Sequence, residues 1–302
     1  MNVGFIGVGV MGRPMALNIL KGGHALTVFD INPENVATMV KAGAKAAASP
    51  REVGAASDIV VTMLPLPSHV EDVVLGPNGV ADGLKPGGMV IDMSTIDPQS
   101  SQKIGAGLRA RGMRMVDSPV GKTSEHAETG TLTLMVGGDP ADIEYAKPVL
   151  NCMGNETYIC GGQGMGHAMK TTNNLLATAI MTANVEALAI GVKSGLTLEL
   201  MLEVMKTTMA WNSQLGVAMP KKAFKVDDSP GFMVKLACKD VRQANELARR
   251  QGFEPHVGAA CQKRLEEAME VGFGDRDTAV LMFILENALG IKVRPAEAAQ
   301  AA

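Results

Sequence analysis

The stretch NVGFIGVGVMG, residues 2–12, decides the fold class of this chain. It joins an apolar strand pattern to the spacing G-x-G-x-x-G, formed by Gly7, Gly9 and Gly12, and a helical pattern follows. In such a unit the first glycine permits a tight turn, the second lets the backbone approach a pyrophosphate, and the third lets helix and strand pack closely. The N–H groups and the dipole at the helix start attract phosphate. The stretch predicts a dinucleotide site at Gly7, Gly9, Val10, Met11 and Gly12, rather than a glycine-rich turn without a ligand.

Asp30 ends the second predicted strand and indicates which dinucleotide binds. An acidic side chain at this position accepts hydrogen bonds from the adenosine ribose, and its charge repels a 2′-phosphate. The next residues are Ile31, Asn32 and Pro33, so no arginine follows to neutralise such a phosphate. The pattern favours NAD over NADP. The alternative is that Asp30 only begins a turn with Asn32 and Pro33.

The chain divides into two regions of different secondary structure. Strands are predicted at 2–6, 25–30, 59–63, 89–92, 114–117 and 133–136, and helices at 13–21, 33–42, 49–56, 68–75 and 99–111. From His167 onward helices dominate, at 170–194, 198–207, 231–251, 255–271 and 278–289, and the Ala-rich tail after Ile291 is expected to fray. Alternating strands and helices indicate a mostly parallel sheet. With the pattern changing at the glycine-rich stretch 161–164, we predict an α/β Rossmann-type domain over 1–162 and an all-α domain over 163–302.

Composition restricts the partners and the compartment. The net charge of −3 gives no footprint for nucleic acid, and no block of Lys and Arg indicates a membrane surface. No apolar run is long and uninterrupted enough to span a bilayer, and the apolar segment 170–194 is expected to be buried between neighbours. The N-terminus has no signal-peptide pattern, and the four cysteines show neither a C-x-x-C pair nor zinc spacing. These features predict a cytoplasmic protein without a metal site.

Two further strand ends carry candidate cofactor contacts. Met63-Leu64-Pro65 ends one strand pattern, and residues 92–95, ending in Thr95, close the next. Ligands of parallel sheets bind beyond the carboxyl ends of the strands. We therefore expect Leu64 and Pro65 to line the cofactor cleft and Thr95 to reach the nicotinamide ribose or carboxamide. Thr95 also suits a helix N-cap before Pro98, and the two roles are compatible.

Lys170 and Asn174 carry the candidate chemistry. Their i, i+4 spacing places both on one face of a predicted helix. Reduction of a carbonyl needs a proton donor beside the developing alkoxide, and a desolvated lysine can serve near neutral pH. The alternative is a lysine that extends to solvent beside a capping asparagine. Spacing alone does not choose between these two interpretations.

A family resemblance covers nearly the whole chain. It rests on FIGVGVMG at 5–12, DSPV at 117–120, GTL at 130–132, the Gly166, Lys170 and Asn174 pattern, and Phe232, Leu236, Lys239 and Asp240. These motifs resemble the β-hydroxyacid dehydrogenase family, which includes 3-hydroxyisobutyrate dehydrogenases and tartronate semialdehyde reductases. The resemblance implies a Rossmann-type domain followed by a helical domain, often assembled as a homodimer or homotetramer. It also implies that Lys170 is the catalytic acid/base, that Asn174 positions the substrate, and that Lys239 lies in the closed cofactor–substrate cleft.

One loop departs from the family pattern. Where the family usually reads Asp-Ala-Pro-Val-Ser-Gly-Gly, this chain has Gly121, Lys122, Thr123 and Ser124 after its Asp-Ser-Pro-Val. A cation with two hydroxyls suits a substrate that carries a strong second anion, with Asn173 or Asn174 assisting. The loop resembles that of the 3-sulfolactaldehyde reductase subgroup, in which arginine stands at the position of Lys122. The alternative is that Lys122 points to solvent.

Three functions remain open at this point. The first is NADH-dependent reduction of 3-sulfolactaldehyde to 2,3-dihydroxypropane-1-sulfonate. The second is an ordinary 3-hydroxyisobutyrate dehydrogenase or tartronate semialdehyde reductase. Lys122 is the residue that distinguishes the first function from the second. The third is a non-catalytic NAD-binding relative, against which the presence of Lys170, Asn174 and Lys239 argues. In the first two cases the partner is a small anionic semialdehyde or hydroxyacid.

Overall fold

The computed structural model describes residues 1–295 and contains two compact units, Met1–Thr171 and a second unit from Thr172 onward. The predicted Ala-rich tail lies largely outside the described residues, which end before residue 296. The predicted boundary between the Rossmann-type domain and the all-α domain, after residue 162, remains a prediction.

A nine-stranded sheet forms the centre of the first unit. Its strands are β1 (Asn2–Ile6), β2 (Ala25–Phe29), β3 (Lys45–Ala46), β4 (Ile59–Thr62), β5 (Met89–Asp92), β6 (Arg114–Asp117), β7 (Val120–Gly121), β8 (Leu132–Gly137) and β9 (Gly154–Gly161). The order is β3-β2-β1-β4-β5-β6-β8-β7, with β9 paired to β8. All neighbouring strands in the run β3-β2-β1-β4-β5-β6 are parallel. Strand β8 is antiparallel to β6 and β7 and parallel to β9. The predicted Rossmann-type, mostly parallel sheet is confirmed.

Helices cover both faces of this sheet. They are α1 (Gly12–Lys21), α2 (Pro33–Lys41), α3 (Pro50–Ala55), α4 (Pro67–Leu75), α5 (Pro98–Arg109), α6 (Ser124–Thr129) and α7 (Pro140–Leu150), with a 3₁₀ turn at Val80–Asp82. Successive residues of one strand belong to different apolar clusters: Phe5 packs in one and Ile6 in the other. This alternation is what a strand buried on both faces requires.

Some elements of the first unit were not predicted. Strands β3 and β7 are only two residues long, and β9 is largely polar and exposed, so hydrophobic alternation does not reveal them. Helix α7 contains Pro148, which disfavours a helix prediction. Short or polar elements of this kind depend on pairing and packing partners that are distant in sequence.

The second unit is helical, as predicted. Its helices are the continuation of α8 (Met165–Lys193), then α9 (Leu198–Lys206), α10 (Met219–Lys221), α11 (Val234–Arg250), α12 (His256–Glu270) and α13 (Val280–Leu289). A π turn at Gln214–Ala218 and a 3₁₀ turn at Ala223–Lys225 connect them. Their apolar faces form one core cluster that includes Leu188, Val241 and Leu265.

Helix α8 corrects two sequence-based expectations. It is not buried all round, because Leu176 is 61% exposed and Ile190 is 67% exposed. It is also long and apolar enough to cross a membrane by length and composition alone, contrary to the expectation that no run is. That test is weak evidence for a membrane span, since core helices of other proteins also pass it.

Candidate active site

The glycine-rich loop after β1 has the backbone features that a bound pyrophosphate needs. Gly7 adopts a φ of +93°, a left-handed conformation that glycine reaches without strain. A Cβ added at Gly12 would lie 1.9 Å from the Gly7 carbonyl oxygen, so only glycine permits this close approach. A Cβ added at Gly9 would meet nothing within 4 Å in the described chain. Packing within the protein therefore does not require glycine at Gly9. The absence of a side chain there is consistent with a ligand that approaches the backbone closely.

The start of α1 is suited to an anion. Within residues 1–295 no side chain caps this N-terminus, and its first turn contains no acidic residue. In contrast, α2, α3, α5 and α7 each begin with an Asn, Ser or Asp side-chain cap. N–H groups without a side-chain acceptor favour phosphate, and Val10 beside them is 69% exposed. The loop thus fits a dinucleotide, whose pyrophosphate Gly7, Gly9, Val10, Met11 and Gly12 would hold.

Asp30 has a structural role in addition to its predicted cofactor role. Its Oδ2 accepts a hydrogen bond from the Val8 N–H (2.8 Å), and its Oδ1 accepts one from the Asn32 N–H (2.8 Å). The carboxylate therefore ties the glycine-rich loop to the end of β2 and forms the turn that was the alternative interpretation. A carboxylate has about four lone-pair positions, so ribose hydroxyls can bind it as well. Ribose binding by Asp30 remains a prediction.

We expect the protein to prefer NADH over NADPH, and Ile31→Arg to weaken that preference. Ile31 is 94% exposed beside Asp30, so this substitution leaves the two backbone contacts of Asp30 intact. An arginine there should raise kcat/KM with NADPH by roughly ten-fold, the value of one charge-assisted contact. Ile31→Gln is the control. Asp30→Ala should reduce the preference for NADH over NADPH, and it should also loosen the glycine-rich loop, because Asp30 no longer accepts the Val8 N–H. Wild-type kcat/KM values that are equal for the two cofactors would contradict the assignment.

Polar side chains gather where β4 and β5 end, in what we call the strand-end cluster: Thr62, Asp92, Ser94 and His167. All four are buried. Asp92 Oδ1 accepts hydrogen bonds from Thr62 Oγ1 (2.8 Å) and the Ser94 N–H (3.2 Å). Ser94 Oγ in turn accepts one from the Leu64 N–H (2.9 Å). The cluster therefore fixes the backbone after both strands, which carries the predicted contacts Leu64, Pro65 and Thr95.

His167 brings the first turn of α8 into this cluster. Its Nε2 lies 3.1 Å from Asp92 Oδ2, and both side chains are fully buried. Burial by itself raises the pKa of the Asp92 carboxyl, but His167, with contacts to Ser94 and Thr62, lowers it by more. The net pKa of Asp92 lies below its ordinary value of 3.8, so Asp92 is ionised at neutral pH. The sequence offered no signal for this pair, because its two residues are distant along the chain.

Among the residues that the structure describes, no group of three or more His, Cys, Asp or Glu side chains is arranged to hold a metal ion. The Asp92 carboxylate accepts hydrogen bonds from Thr62 and Ser94, and the His167 imidazole lies beside it.

Asp117, at the end of β6, caps the N-terminus of α8. Its Oδ1 accepts hydrogen bonds from the Gly164 N–H (2.6 Å) and from Gln163 Nε2 (3.1 Å), and its Oδ2 accepts one from the His167 N–H (3.1 Å). These bonds satisfy N–H groups that a helix start leaves without partners. Lys170 follows within the next turn and is partly buried. In the sequence, Asp117 is notable only as part of the DSPV motif, and only the structure reveals its capping role.

Within the second unit, Asp240 on α11 links two of the predicted site residues. Its Oδ2 accepts a hydrogen bond from Asn174 Nδ2 (2.6 Å), and its Oδ1 lies 3.1 Å from Lys239 Nζ. Asn173 Nδ2 donates to Asn174 Oδ1 (3.2 Å). Two predicted residues, Asn174 and Lys239, therefore meet at one buried carboxylate, and Asn173 is joined to them through Asn174. Asp240 itself was not predicted as a site residue, although the Lys239-Asp240 motif was a signal for it.

Lys122, in the predicted anion-binding loop, has partners within the protein. Its Nζ donates a hydrogen bond to the Thr131 carbonyl oxygen (2.9 Å) and lies 3.4 Å from Glu156 Oε1. Its φ of +75° is in the left-handed region that favours glycine. An ammonium has three donors, of which these contacts account for two. The lysine therefore holds its own loop, whether or not it also binds a substrate.

The two hydroxyls of the same loop lie at the start of α6. Ser124 is the first residue of this helix, and Thr123 precedes it. Thr123 Oγ1 lies 3.0 Å from His126 Nδ1, so the imidazole orients that hydroxyl. Their role in substrate binding remains a prediction.

Two family models together match most of the chain. Residues 2–162 match the NAD binding domain of 6-phosphogluconate dehydrogenase. Residues 164–284 match a model described as NAD-binding of NADP-dependent 3-hydroxyisobutyrate dehydrogenase. The first match spans the whole sheet and the glycine-rich loop. The chain therefore contains an NAD-binding domain of this type within the matched residues.

Named relatives identify the wider family. The chain is 39% identical to 3-sulfolactaldehyde reductase of Escherichia coli (strain K12), over 93% of this chain and 94% of that protein. It is 36% identical to NAD-dependent L-serine dehydrogenase of Pseudomonas aeruginosa, over 95% and 99%. A structure of Mycobacterium tuberculosis 3-hydroxyisobutyrate dehydrogenase with L-serine matches with a TM-score of 0.87 at 27% identity, over 94% and 98%. The chain therefore belongs to the β-hydroxyacid dehydrogenase family of NAD-dependent oxidoreductases.

Proposed function

We propose that this enzyme reduces 3-sulfolactaldehyde to 2,3-dihydroxypropane-1-sulfonate with NADH. The observation that carries the proposal is the loop at Gly121, Lys122, Thr123 and Ser124, which has a cation and two hydroxyls in place of the family's small residues. The 39% identity to a 3-sulfolactaldehyde reductase supports it. A serine dehydrogenase is nearly as similar, so the chemistry of the loop must decide the substrate.

Lys170 is the proposed general acid of this reaction. NADH, when bound, supplies the hydride that reduces the aldehyde carbon. As that carbon is reduced, its oxygen gains negative charge, and the Lys170 ammonium donates a proton to it, which yields the alcohol. In the reverse direction the neutral amine accepts that proton. Asn174 follows Lys170 by one turn of α8, and Asp240 holds its amide, so Asn174 is the candidate that orients the substrate oxygen.

The loop residues are proposed to bind the sulfonate. A sulfonate stays ionised and offers three acceptor oxygens, which suit an ammonium and two hydroxyls in combination. Lys122 Nζ would supply its remaining donor, and Thr123 and Ser124 would supply their hydroxyls, with Asn173 assisting. Charge-assisted contacts of this type contribute about 1.5–3 kcal/mol each.

A second candidate is the dehydrogenation of an ordinary β-hydroxyacid, such as 3-hydroxyisobutyrate or the reduction product of tartronate semialdehyde. The specific observation in its favour is that Lys122 already contacts Glu156 and the Thr131 carbonyl oxygen. A lysine that only stabilises its own loop does not bind an anionic group of the substrate. The two candidates therefore differ in what the charge of Lys122 does.

We expect Lys122→Ala to raise KM for 3-sulfolactaldehyde by about ten-fold or more, because a charge-assisted contact is lost. KM for a neutral aldehyde of similar size should change little, and Lys122→Arg should keep or improve use of the sulfonate. The measurement is steady-state NADH oxidation with both aldehydes. An equal rise in KM for 3-sulfolactaldehyde and for the neutral aldehyde would show that Lys122 stabilises the loop and does not bind the sulfonate.

Glu156→Gln provides the matched control, because it removes the ion pair and leaves the lysine in place. If Lys122 binds the sulfonate, this variant should keep or lower KM for 3-sulfolactaldehyde, since Glu156 no longer competes for the ammonium. If Lys122 acts only through its pair with Glu156, the variant should reproduce the defect of Lys122→Ala. A Tm measurement on each variant separates loss of the loop from loss of the contact.

A further inference from the structure

Burial of the Asp92–His167 pair carries a large desolvation penalty for a contact with only a structural role. Removing a carboxylate and an imidazole from water costs more than burying apolar groups of similar size. Both side chains are fully buried, and His167 Nδ1 has no hydrogen-bond partner within residues 1–295. His167 Nε2 and Asp92 Oδ2 lie 3.1 Å apart, without the alignment of a hydrogen bond. A buried polar contact with this desolvation penalty is expected where it fixes the relative position of two elements more exactly than apolar packing does.

The pair joins two parts of the first unit that are predicted to act together. On one side, Asp92 holds Thr62 and Ser94, and Ser94 holds the backbone of Leu64, so the predicted cofactor segments are tied to it. On the other side, His167 precedes Lys170 by nearly one turn of α8. The cap from Asp117 restrains the same turn through its backbone, whereas His167 restrains it through a side chain.

We propose that His167 and Asp92 are a positioning pair that fixes the first turn of α8, and with it Lys170, against the strand ends that carry the cofactor contacts. The proposal rests on the proposed role of Lys170 as proton donor. His167 acts through Lys170 and Asp92 and does not touch the reacting atoms. A displacement of the lysine by about 1 Å can lower a rate by about a hundred-fold.

The variant His167→Leu tests this, because it keeps most of the side-chain volume and removes the ring nitrogens. We expect kcat to fall by about ten-fold or more as Lys170 loses its orientation. NADH affinity, measured by fluorescence titration, should change less than about three-fold, because Asp92 still holds Thr62 and Ser94. His167→Gln should restore kcat to within a few-fold of wild type, because its amide N–H can reach Asp92. Asp92→Ala should impair both kcat and NADH affinity.

The matched control is Arg294→Met, which breaks a different polar contact with little solvent exposure, the ion pair of Arg294 with Glu286 at 2.8 Å in the second unit. This variant should lower Tm but leave kcat and NADH affinity near wild type at a temperature where it is folded. If His167→Leu lowers Tm in the same way while kcat stays within two-fold of wild type, the pair is structural only and the proposal is overturned. If Lys170→Ala keeps its activity, the proposed function itself fails, which is a separate result.

Discussion

Lys170→Ala should abolish turnover and leave NADH binding largely intact. The lysine is proposed to stabilise the transition state by proton donation, and a general acid contributes roughly 10²–10⁴-fold in rate. We expect cofactor affinity to come instead from the glycine-rich loop and Asp30, which lie within the matched NAD-binding domain. We expect kcat to fall by roughly that factor, with the NADH dissociation constant from fluorescence titration near wild type.

Lys193→Ala is the control for this experiment, because Lys193 lies near the other end of the same helix. Its Nζ donates a hydrogen bond to the Leu289 carbonyl oxygen, so its loss tests the general effect of removing a lysine from α8. That variant should keep its activity. Lys170→Ala with activity within a few-fold of wild type would remove Lys170 from the mechanism and would revive the non-catalytic alternative.

Gly9→Ala should weaken NADH binding without destabilising the protein. The added Cβ meets nothing within 4 Å in the described chain, so the fold accommodates it, and the loss of glycine flexibility in the unfolded chain is mildly stabilising. A bound pyrophosphate would approach this backbone, and a clash of that type costs about 1–3 kcal/mol, which is roughly a five- to hundred-fold loss of affinity. Titration calorimetry with NADH and a thermal melt of the cofactor-free protein measure the two effects.

Gly162→Ala is the matched control, because its Cβ also meets nothing within 4 Å among the described residues and Gly162 lies outside the loop. It should leave both Tm and NADH affinity unchanged. Gly12→Ala should behave differently from both, because its Cβ would lie 1.9 Å from the Gly7 carbonyl oxygen and the protein itself must shift. Unchanged NADH affinity in Gly9→Ala would mean that the cofactor does not approach this residue.

Local sequence was sufficient for the fold class and the family. The apolar strand pattern and G-x-G-x-x-G spacing of residues 2–12 predicted the βαβ unit, because the positions of those glycines follow from backbone sterics within a few residues. Alternating strands and helices predicted the parallel sheet, because a helix that connects two consecutive strands returns the chain to the same end of the sheet. Helical patterns from His167 onward predicted the helical second region, which the structure confirms. Motifs spread over the chain carried the resemblance to NAD-dependent oxidoreductases, which the family matches and the named relatives confirm.

Only the tertiary structure revealed which side chains hold the candidate site together. Asp92 and His167, Asp117 and the start of α8, and Asn174 and Asp240 are pairs of residues that lie far apart in sequence. Each residue has an ordinary local explanation when it is considered alone. The contacts of Lys122 with Glu156 and Thr131 also depend on how β9 pairs with β8, and no periodic pattern predicted β9. Periodicity reports which face of an element is buried, whereas the partner of a buried charge is set by packing between elements, and that is why the positioning contacts required the folded chain.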